Sequence, residues 1–321
     1  GMLGTGSIAH QFAKGLKSAK GAVLTAVGSR AQETADKFGD EYAIPHRYGN
    51  YEALAAETEV DVVYIATPHP LHKDNSILCL EAGKAVLCEK PFTINKTEAE
   101  EVVAVARRKH LFLMEAMWTR FLPTVEKTRE WLQDGVIGTP RMVRADFGFR
   151  SGYDEESRLF DFDMGGGGLL DVGIYPISLA AMVLGTMPEE INALAEIGDT
   201  GVDEQNTVNF RYADGAIAMT ASALRTTTPQ DAHIIGENGW IYLHAPFWCG
   251  TTATLAIDGK EPETFELPLR GNGYNYEAEA VMEGMRAGKT ECEIMSLDDT
   301  VAIMDIMDKA RAQWGLKYPM E

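Results

Sequence analysis

The chain is short of basic residues, short of cysteine and free of low-complexity tracts and internal repeats, and each shortage removes a class of function. Lys and Arg number 29 against 48 Asp and Glu, a formal charge of −19, with a pI of about 4.8. Such a polyanion repels nucleic acid and acidic membrane surfaces, so neither is expected as a partner. An anionic ligand would need a local device, such as a helix N-terminus or a placed Arg. The four cysteines, Cys79, Cys88, Cys249 and Cys292, lack metal-ligand spacing and read as reduced thiols of a cytoplasmic protein. No two histidines have ligand spacing with an acid nearby, so no metal site is expected and a metal hydrolase is a distant reading. No run approaches the roughly 18 apolar residues of a membrane span, and no signal peptide is visible. Only three residues precede the first glycine turn, so that last absence carries little weight.

What is present is a change of texture near residue 120. The 321 residues suggest two domains, 1–120 and 121–321. In the first, short Val/Ile/Leu-rich runs at 22–29, 60–67, 84–90 and 111–117 suit strands buried on both faces, hence parallel. Helical stretches at 7–17, 31–38, 72–82 and 95–108 alternate with them, which is the pattern of a doubly wound α/β domain. The second domain begins with an amphipathic helix at 123–135. Alternating runs at 141–149, 191–197, 207–213, 216–224, 232–237, 239–244 and 252–257 then read as an antiparallel sheet, with helices near 171–184, 276–287 and 297–313. The expected class is α/β: a dinucleotide-binding domain followed by an α+β domain with a large, open-faced, mostly antiparallel sheet. The last helix is free to pack back on the first domain.

Five constellations carry chemistry. The first is GTGSIA, a G-x-G-x-x-A turn opening a helix. There Gly4, Gly6, Ser7 and Ile8 would bring backbone N–H groups to a pyrophosphate. The second is the pair Ser29 and Arg30 at the end of strand two. An NAD site usually has a carboxylate there, whereas a hydroxyl and a guanidinium suit a 2′-phosphate, so NADP is favoured with NAD as the alternative. The third is TPHPLH, Thr67 to His72, at the carboxyl end of a strand, where open α/β sheets bind ligands. Thr67, Pro68, His69 and His72 are candidate contacts to cofactor or substrate. The fourth is Glu89-Lys90-Pro91, at the same edge, with Pro91 compatible with a cis bond that would aim Lys90. The fifth is MGGGGLLDVGIYP, in which Asp171 and Tyr175 share a face if the segment is helical. Pro176 is tolerable there only in a first turn or at a kink. Each has a plainer reading: a strand–helix turn, a solvated arginine, surface histidines, a solvated lysine, and a helix cap beside a wall tyrosine. Trp118, Arg120, Phe160 and Trp248 are read as pocket walls, core or interface.

Together these motifs resemble the glucose–fructose oxidoreductase/inositol dehydrogenase (Gfo/Idh/MocA) superfamily. VLCEKP, LFLMEAMWTRFLP and GGGGLLDVGIYP are most similar to the branch containing dimeric dihydrodiol dehydrogenase and NADP-dependent D-xylose 1-dehydrogenase. The resemblance extends through TGVDEQNTV and YEAEAVMEGMRAGK to the last helix. It implies an oxidoreductase acting on a carbinol or carbonyl of a sugar, polyol or diol. It also implies a homodimer, or dimer of dimers, through the open sheet. Lys90 would be the active-site lysine that polarises the substrate oxygen, and Tyr175 the acid/base, helped by a nearby ammonium. Asp171 would orient substrate hydroxyls or Lys90, and Glu89 would touch the cofactor ribose or buttress the loop. Some NADP-binding relatives carry a second basic residue where Thr34 stands here, so discrimination against NAD is expected to be modest. The rivals are a non-catalytic NADP-binding regulator, which would need neither Lys90 nor Tyr175, and an oxidoreductase that keeps and recycles its NADP.

Overall fold

A computed structural model describes all 321 residues. They form two compact units: Gly1–Trp118 with Arg270–Val301, and Thr119–Leu269 with Ala302–Glu321. The segment 270–301 thus lies with the first unit, although it follows the sheet of the second in sequence.

The first unit alternates strand and helix: β1 (Met2–Leu3), α1 (Ser7–Leu16), β2 (Ala26–Gly28), α2 (Gln32–Tyr42), β3 (His46–Tyr48), α3 (Tyr51–Ala55), β4 (Val62–Ile65), α4 (His72–Glu81), β5 (Ala85–Glu89), α5 (Lys96–Lys109) and β6 (Leu113–Ala116). The strands form one sheet in the order β3-β2-β1-β4-β5-β6, and every pairing is parallel. Their apolar runs are buried on both faces, as Val63, Ile65, Val86 and Leu87 show. Asn95 caps α5, its side chain accepting from Glu98 N–H at 2.9 Å. Two expectations needed correction. β2 is only three residues long, and the polar strand β3 was not foreseen.

The second unit contains α6 (Pro123–Gln133), β7 (Pro140–Gly148), α7 (Ile174–Leu184), β8 (Glu190–Ile197), β9 (Asp203–Arg211), β10 (Ile217–Ala223), β11 (Ala232–Gly236), β12 (Gly239–Leu243), β13 (Thr252–Ile257) and β14 (Glu263–Glu266). The eight strands run β14-β13-β12-β11-β7-β10-β9-β8. The sheet is mixed, because β7 and β10 pair in parallel while the other neighbours are antiparallel. Val143, Ala145, Ala218 and Ile234 face a core that includes α7, and the opposite face leaves Leu194 70%, Ile217 40% and Met219 37% exposed. Two further helices follow, α8 (Tyr274–Arg286) in the first unit and α9 (Leu297–Trp314), which begins in the first unit and ends in the second.

One reading of apolar runs is overturned. Phe162–Leu184 is long and apolar enough to cross a membrane by composition, but 83% of its apolar window is buried as core.

Candidate functional site

At the carboxyl edge of the first sheet, the chain turns from β1 into α1 through Gly4, at φ +100°. A Cβ there would sit 2.5 Å from the Ala66 carbonyl oxygen, so only glycine lets β1 run this close to β4. Gly6 caps α1 without a side-chain bond, and its Cβ position meets open space. Ser7 and Ile8 therefore open a helix whose first N–H groups have no side-chain acceptor, with room in front of them. That is an anion cradle, and a dinucleotide pyrophosphate fits it. At the end of β2, Ser29 is buried with its hydroxyl 2.6 Å from that of Thr34, which donates to Ala31 O at 2.8 Å. In this arrangement Ser29 spends its proton on Thr34. The exposed Arg30 is left as the donor for a 2′-phosphate, with no carboxylate beside it on the chain.

The third and fourth motifs are tied to each other. His72 is fully buried, with Nε2 2.7 Å from Thr67 O and Nδ1 2.8 Å from Pro91 O. Burial, above all, holds its pKa below the usual histidine value. Both ring nitrogens face carbonyls of the fold, the neutral ring can donate to one of them, and His72, fully buried between the two loops, presents no atom to a ligand. Asn75 donates to the Thr67 hydroxyl at 3.1 Å. Pro68 and His69 follow Thr67, half-buried, at the strand's end. The Lys90–Pro91 peptide is cis. Glu89 turns inward: it is buried and accepts from the Tyr64 hydroxyl and, at 3.1 Å, from Lys90 N–H. Of its two expected roles, buttressing is the one this geometry supports. Lys90 itself is half-buried at the sheet's carboxyl edge.

In the second unit, the fifth motif resolves the difficulty posed by Pro176. Leu169–Gly173 forms a wide π-helical turn, and α7 starts only at Ile174, so Pro176 falls in the first turn of α7. Asp171 is 6% exposed and accepts from Arg158 at 2.9 Å. Tyr175 is 7% exposed, its ring 5.4 Å from Phe147 and 6.2 Å from Trp248, and the latter two stack at 4.6 Å. Trp248 is held by Nε1 donating to Gln230 at 3.2 Å and by its carbonyl accepting from Thr119 at 2.8 Å. The motif thus sets an acid paired to an arginine four residues before a phenol packed against two aromatic rings.

Comparison with known proteins identifies the family. Residues 1–117 match the profile of the GFO/IDH/MocA oxidoreductase family with NAD-binding Rossmann fold, and residues 125–242 match the GFO/IDH/MocA C-terminal domain. The chain belongs to the GFO/IDH/MocA oxidoreductase family. Mouse trans-1,2-dihydrobenzene-1,2-diol dehydrogenase is 38% identical over 332 aligned residues, covering 100% of this chain and 98% of the mouse protein. A 3-ketoreductase from Actinomadura kijaniata, solved with NADP and TDP-benzene, superposes with a TM-score of 0.85 at 25% identity, over 97% of this chain and 96% of that one. Variants of that ketoreductase altered at a lysine and at a tyrosine have also been solved. An aldose–aldose oxidoreductase from Caulobacter crescentus, complexed with glycerol, gives 0.88 at 25% identity, over 98% and 97%.

This protein is therefore an oxidoreductase with an NAD-binding Rossmann domain. Its fold also corrects the reading of individual residues. Arg120 is buried and donates to Ser178 Oγ at 3.0 Å, Trp118 stacks on Tyr274 at 4.3 Å, and Phe160 is fully buried, so these three are core. Glu115 was hidden inside an apolar strand run. It is 1% exposed and accepts from Phe92 N–H at 3.2 Å and Thr300 Oγ1 at 3.0 Å, so it braces the loop after Pro91. Arg158 and Phe147 were missed too. A lone arginine in an acidic loop and a phenylalanine in a strand look like any other.

A cavity of about 400 Å³ opens beside Gly1, Thr25, Tyr64 and Met285. It lies toward the amino ends of the strands, opposite the glycine turn, where open α/β sheets do not hold their ligands.

Proposed function

We propose that the enzyme oxidises a secondary hydroxyl of a cyclic diol or sugar, or reduces the corresponding carbonyl, with Lys90, Tyr175 and Asp171 as its working side chains. The observation that carries this reading is the setting of Tyr175. Its phenol stands among Phe147 and Trp248, four residues beyond an acid bonded to arginine. A ring with one apolar face and adjacent hydroxyls matches that surface. NADP, when bound, supplies and accepts the hydride. The protein then has to manage the substrate oxygen and one proton. The Lys90 ammonium polarises that oxygen. Tyr175 gives or takes the proton, and Asp171 fixes a neighbouring hydroxyl. Gly4, Gly6, Ser7 and Ile8 hold the pyrophosphate, and Arg30 meets the 2′-phosphate; Thr67, Pro68 and His69 line the nicotinamide side.

The exposed apolar face of the eight-stranded sheet supports a homodimer through that sheet, since Leu194, Ile217, Met219 and Ile235 stand open on it. The four free cysteines suit a reducing cytoplasm. The deciding experiment is a panel of aldoses, polyols and trans-dihydrodiols followed through NADPH absorbance, for the wild type, Lys90→Met and Tyr175→Phe. Lys90→Met should lose about a hundredfold or more in kcat with NADPH still bound. Full turnover in that variant would remove Lys90 from the chemistry.

A further inference from the structure

The stretch Val202–Asn206 has no part in the chemistry above, yet it touches the segment that delivers it. Asp203, the first residue of β9, is wholly buried. One of its oxygens, Oδ2, accepts from Leu169 N–H at 2.8 Å and from Asn206 Nδ2 at 2.7 Å. Asn206 Nδ2 also donates to Ser222 Oγ at 2.7 Å. The glycines are cut to fit this group. A Cβ on Gly167, at φ +114°, would lie 2.4 Å from Asp203 Oδ1; on Gly168, 3.2 Å from Oδ2; on Gly173, 2.8 Å from Ser222 Oγ. Asp203 therefore bonds the start of 167–173 and Ser222, linked to it through Asn206, packs against the end, with Asp171 between them and Tyr175 two residues beyond Gly173.

We propose that Asp203 is a positioning residue for Asp171 and Tyr175, acting with Asn206 and Ser222 through the backbone of the glycine-rich turn. This rests on the roles given to those two residues above. A carboxyl group suits the task because one oxygen accepts from both the Leu169 N–H and Asn206 Nδ2. The groups facing Asp203 are the Arg311 guanidinium and the Tyr318 phenol. Arg311 is itself paired with Asp308 at 2.6 Å and Glu321 at 2.7 Å, and the Tyr318 hydroxyl donates to Gly166 O. Burial pushes the Asp203 carboxyl up to about 7. The neutral carboxyl therefore holds the turn best, and ionisation through about pH 7 places a charge where burial disfavours it and loosens the turn.

The test compares kcat of the wild type with that of Asp203→Asn across pH. The amide keeps the shape and accepts the same bonds but never ionises. The wild-type to variant ratio should be near one in mild acid and fall through about pH 7 to roughly one-fifth in base, a change that corresponds to about 1 kcal/mol. The KM for NADP should not move. A ratio flat in pH, or a loss matched by a rise in nucleotide KM, overturns the proposal. Tyr175→Phe runs alongside: if it keeps full turnover, the role of Tyr175 fails; if it is inactive and the ratio is flat, only the positioning role fails. Should Asp203→Asn not fold, hydrogen exchange of 166–173 in the wild type takes its place. Protection corrected for intrinsic rates should fall through the same midpoint, and constant protection overturns the idea.

Discussion

Glu277 offers the sharpest quantitative test of the fold's energetics. It lies on α8, fully buried, and neither carboxyl oxygen has a hydrogen-bond partner. Burial, and then the charge of Glu89, push its pKa well above the ordinary carboxyl value, so the neutral form is the one the fold favours. A buried polar group without a partner costs about 1–3 kcal/mol. Glu277→Met keeps the length and volume of the side chain, removes both oxygens and loses less than about 1.5 kcal/mol in refitting. The expected net gain is on the order of 1–2 kcal/mol, a few degrees in the thermal midpoint of a chain this size. The effect has a pH signature. Because the folded pKa is raised, the stability tied to the protonated form is fully present below the unfolded value near 4.3 and is lost as pH rises through the folded value. The advantage of Glu277→Met should therefore widen with pH, and Glu277→Gln, which cannot ionise, should share that widening. Thermal unfolding of the purified protein followed by circular dichroism, from mildly acidic to alkaline buffer, measures both. A variant destabilised by more than ~1 kcal/mol at neutral pH, or a gap constant in pH, would refute the reasoning.

Arg30→Ala should raise the KM for NADP far more than that for NAD, since only NADP carries the phosphate a guanidinium would bind; equal changes in steady-state kinetics would show that Arg30 does not meet it. Gly4→Ala should abolish nucleotide binding or folding, because its methyl would lie 2.5 Å from a backbone oxygen at φ +100°, and fluorescence titration with NADPH on folded material checks it. Met219→Glu places a charge on the open sheet face and should convert a dimer to a monomer in light scattering, with the thermal midpoint of the monomer little changed. For Asp203 the rise from 3.8 to about 7 sets a ceiling of ~4 kcal/mol on stability that is present below the unfolded value and lost as pH climbs through 7; Asp203→Asn should flatten that slope in pH-dependent denaturation.

The parallel sheet and its ligand edge were legible because their signals are local. Glycines before a helix, and apolar runs bounded by turn residues, need no knowledge of what lies across the molecule. What escaped were decisions made over long sequence distances. β3 and β14 are edge strands with polar residues, and the partner that makes them strands is remote. The parallel pairing of β7 with β10 could not be read, since parallel and antiparallel ladders alternate side chains alike. The placement of 270–301 with the first unit is a tertiary fact about Phe112, whose ring a Cβ on Gly284 would strike at 2.5 Å, and not a property of either stretch alone. His72 looked like a contact residue because Thr67–His72 sits at the ligand edge. The carbonyl of Pro91, 19 positions away, faces its ring inside the fold. The same holds for Glu115, Asp203 and Glu277, which read as surface charges by type and are buried in fact.

A chain with a charge of −19 binding a polyanionic dinucleotide seems a contradiction until the distances over which charge acts are considered. In cellular salt the Debye length is about 8 Å, so exposed acids farther than that from the phosphates scarcely count. Many of the remaining acids are already spent. Glu81 holds Arg108 and Lys109, Glu189 and Glu190 hold Arg211, and Asp40 holds Arg47. What decides binding is the first few ångströms. There the α1 terminus presents N–H groups that no side chain caps, and Glu89, the one acid beside Lys90 in sequence, is turned inward onto Tyr64 and the backbone. Turning that carboxylate away from the ligand edge removes a repulsion that mean composition would have predicted.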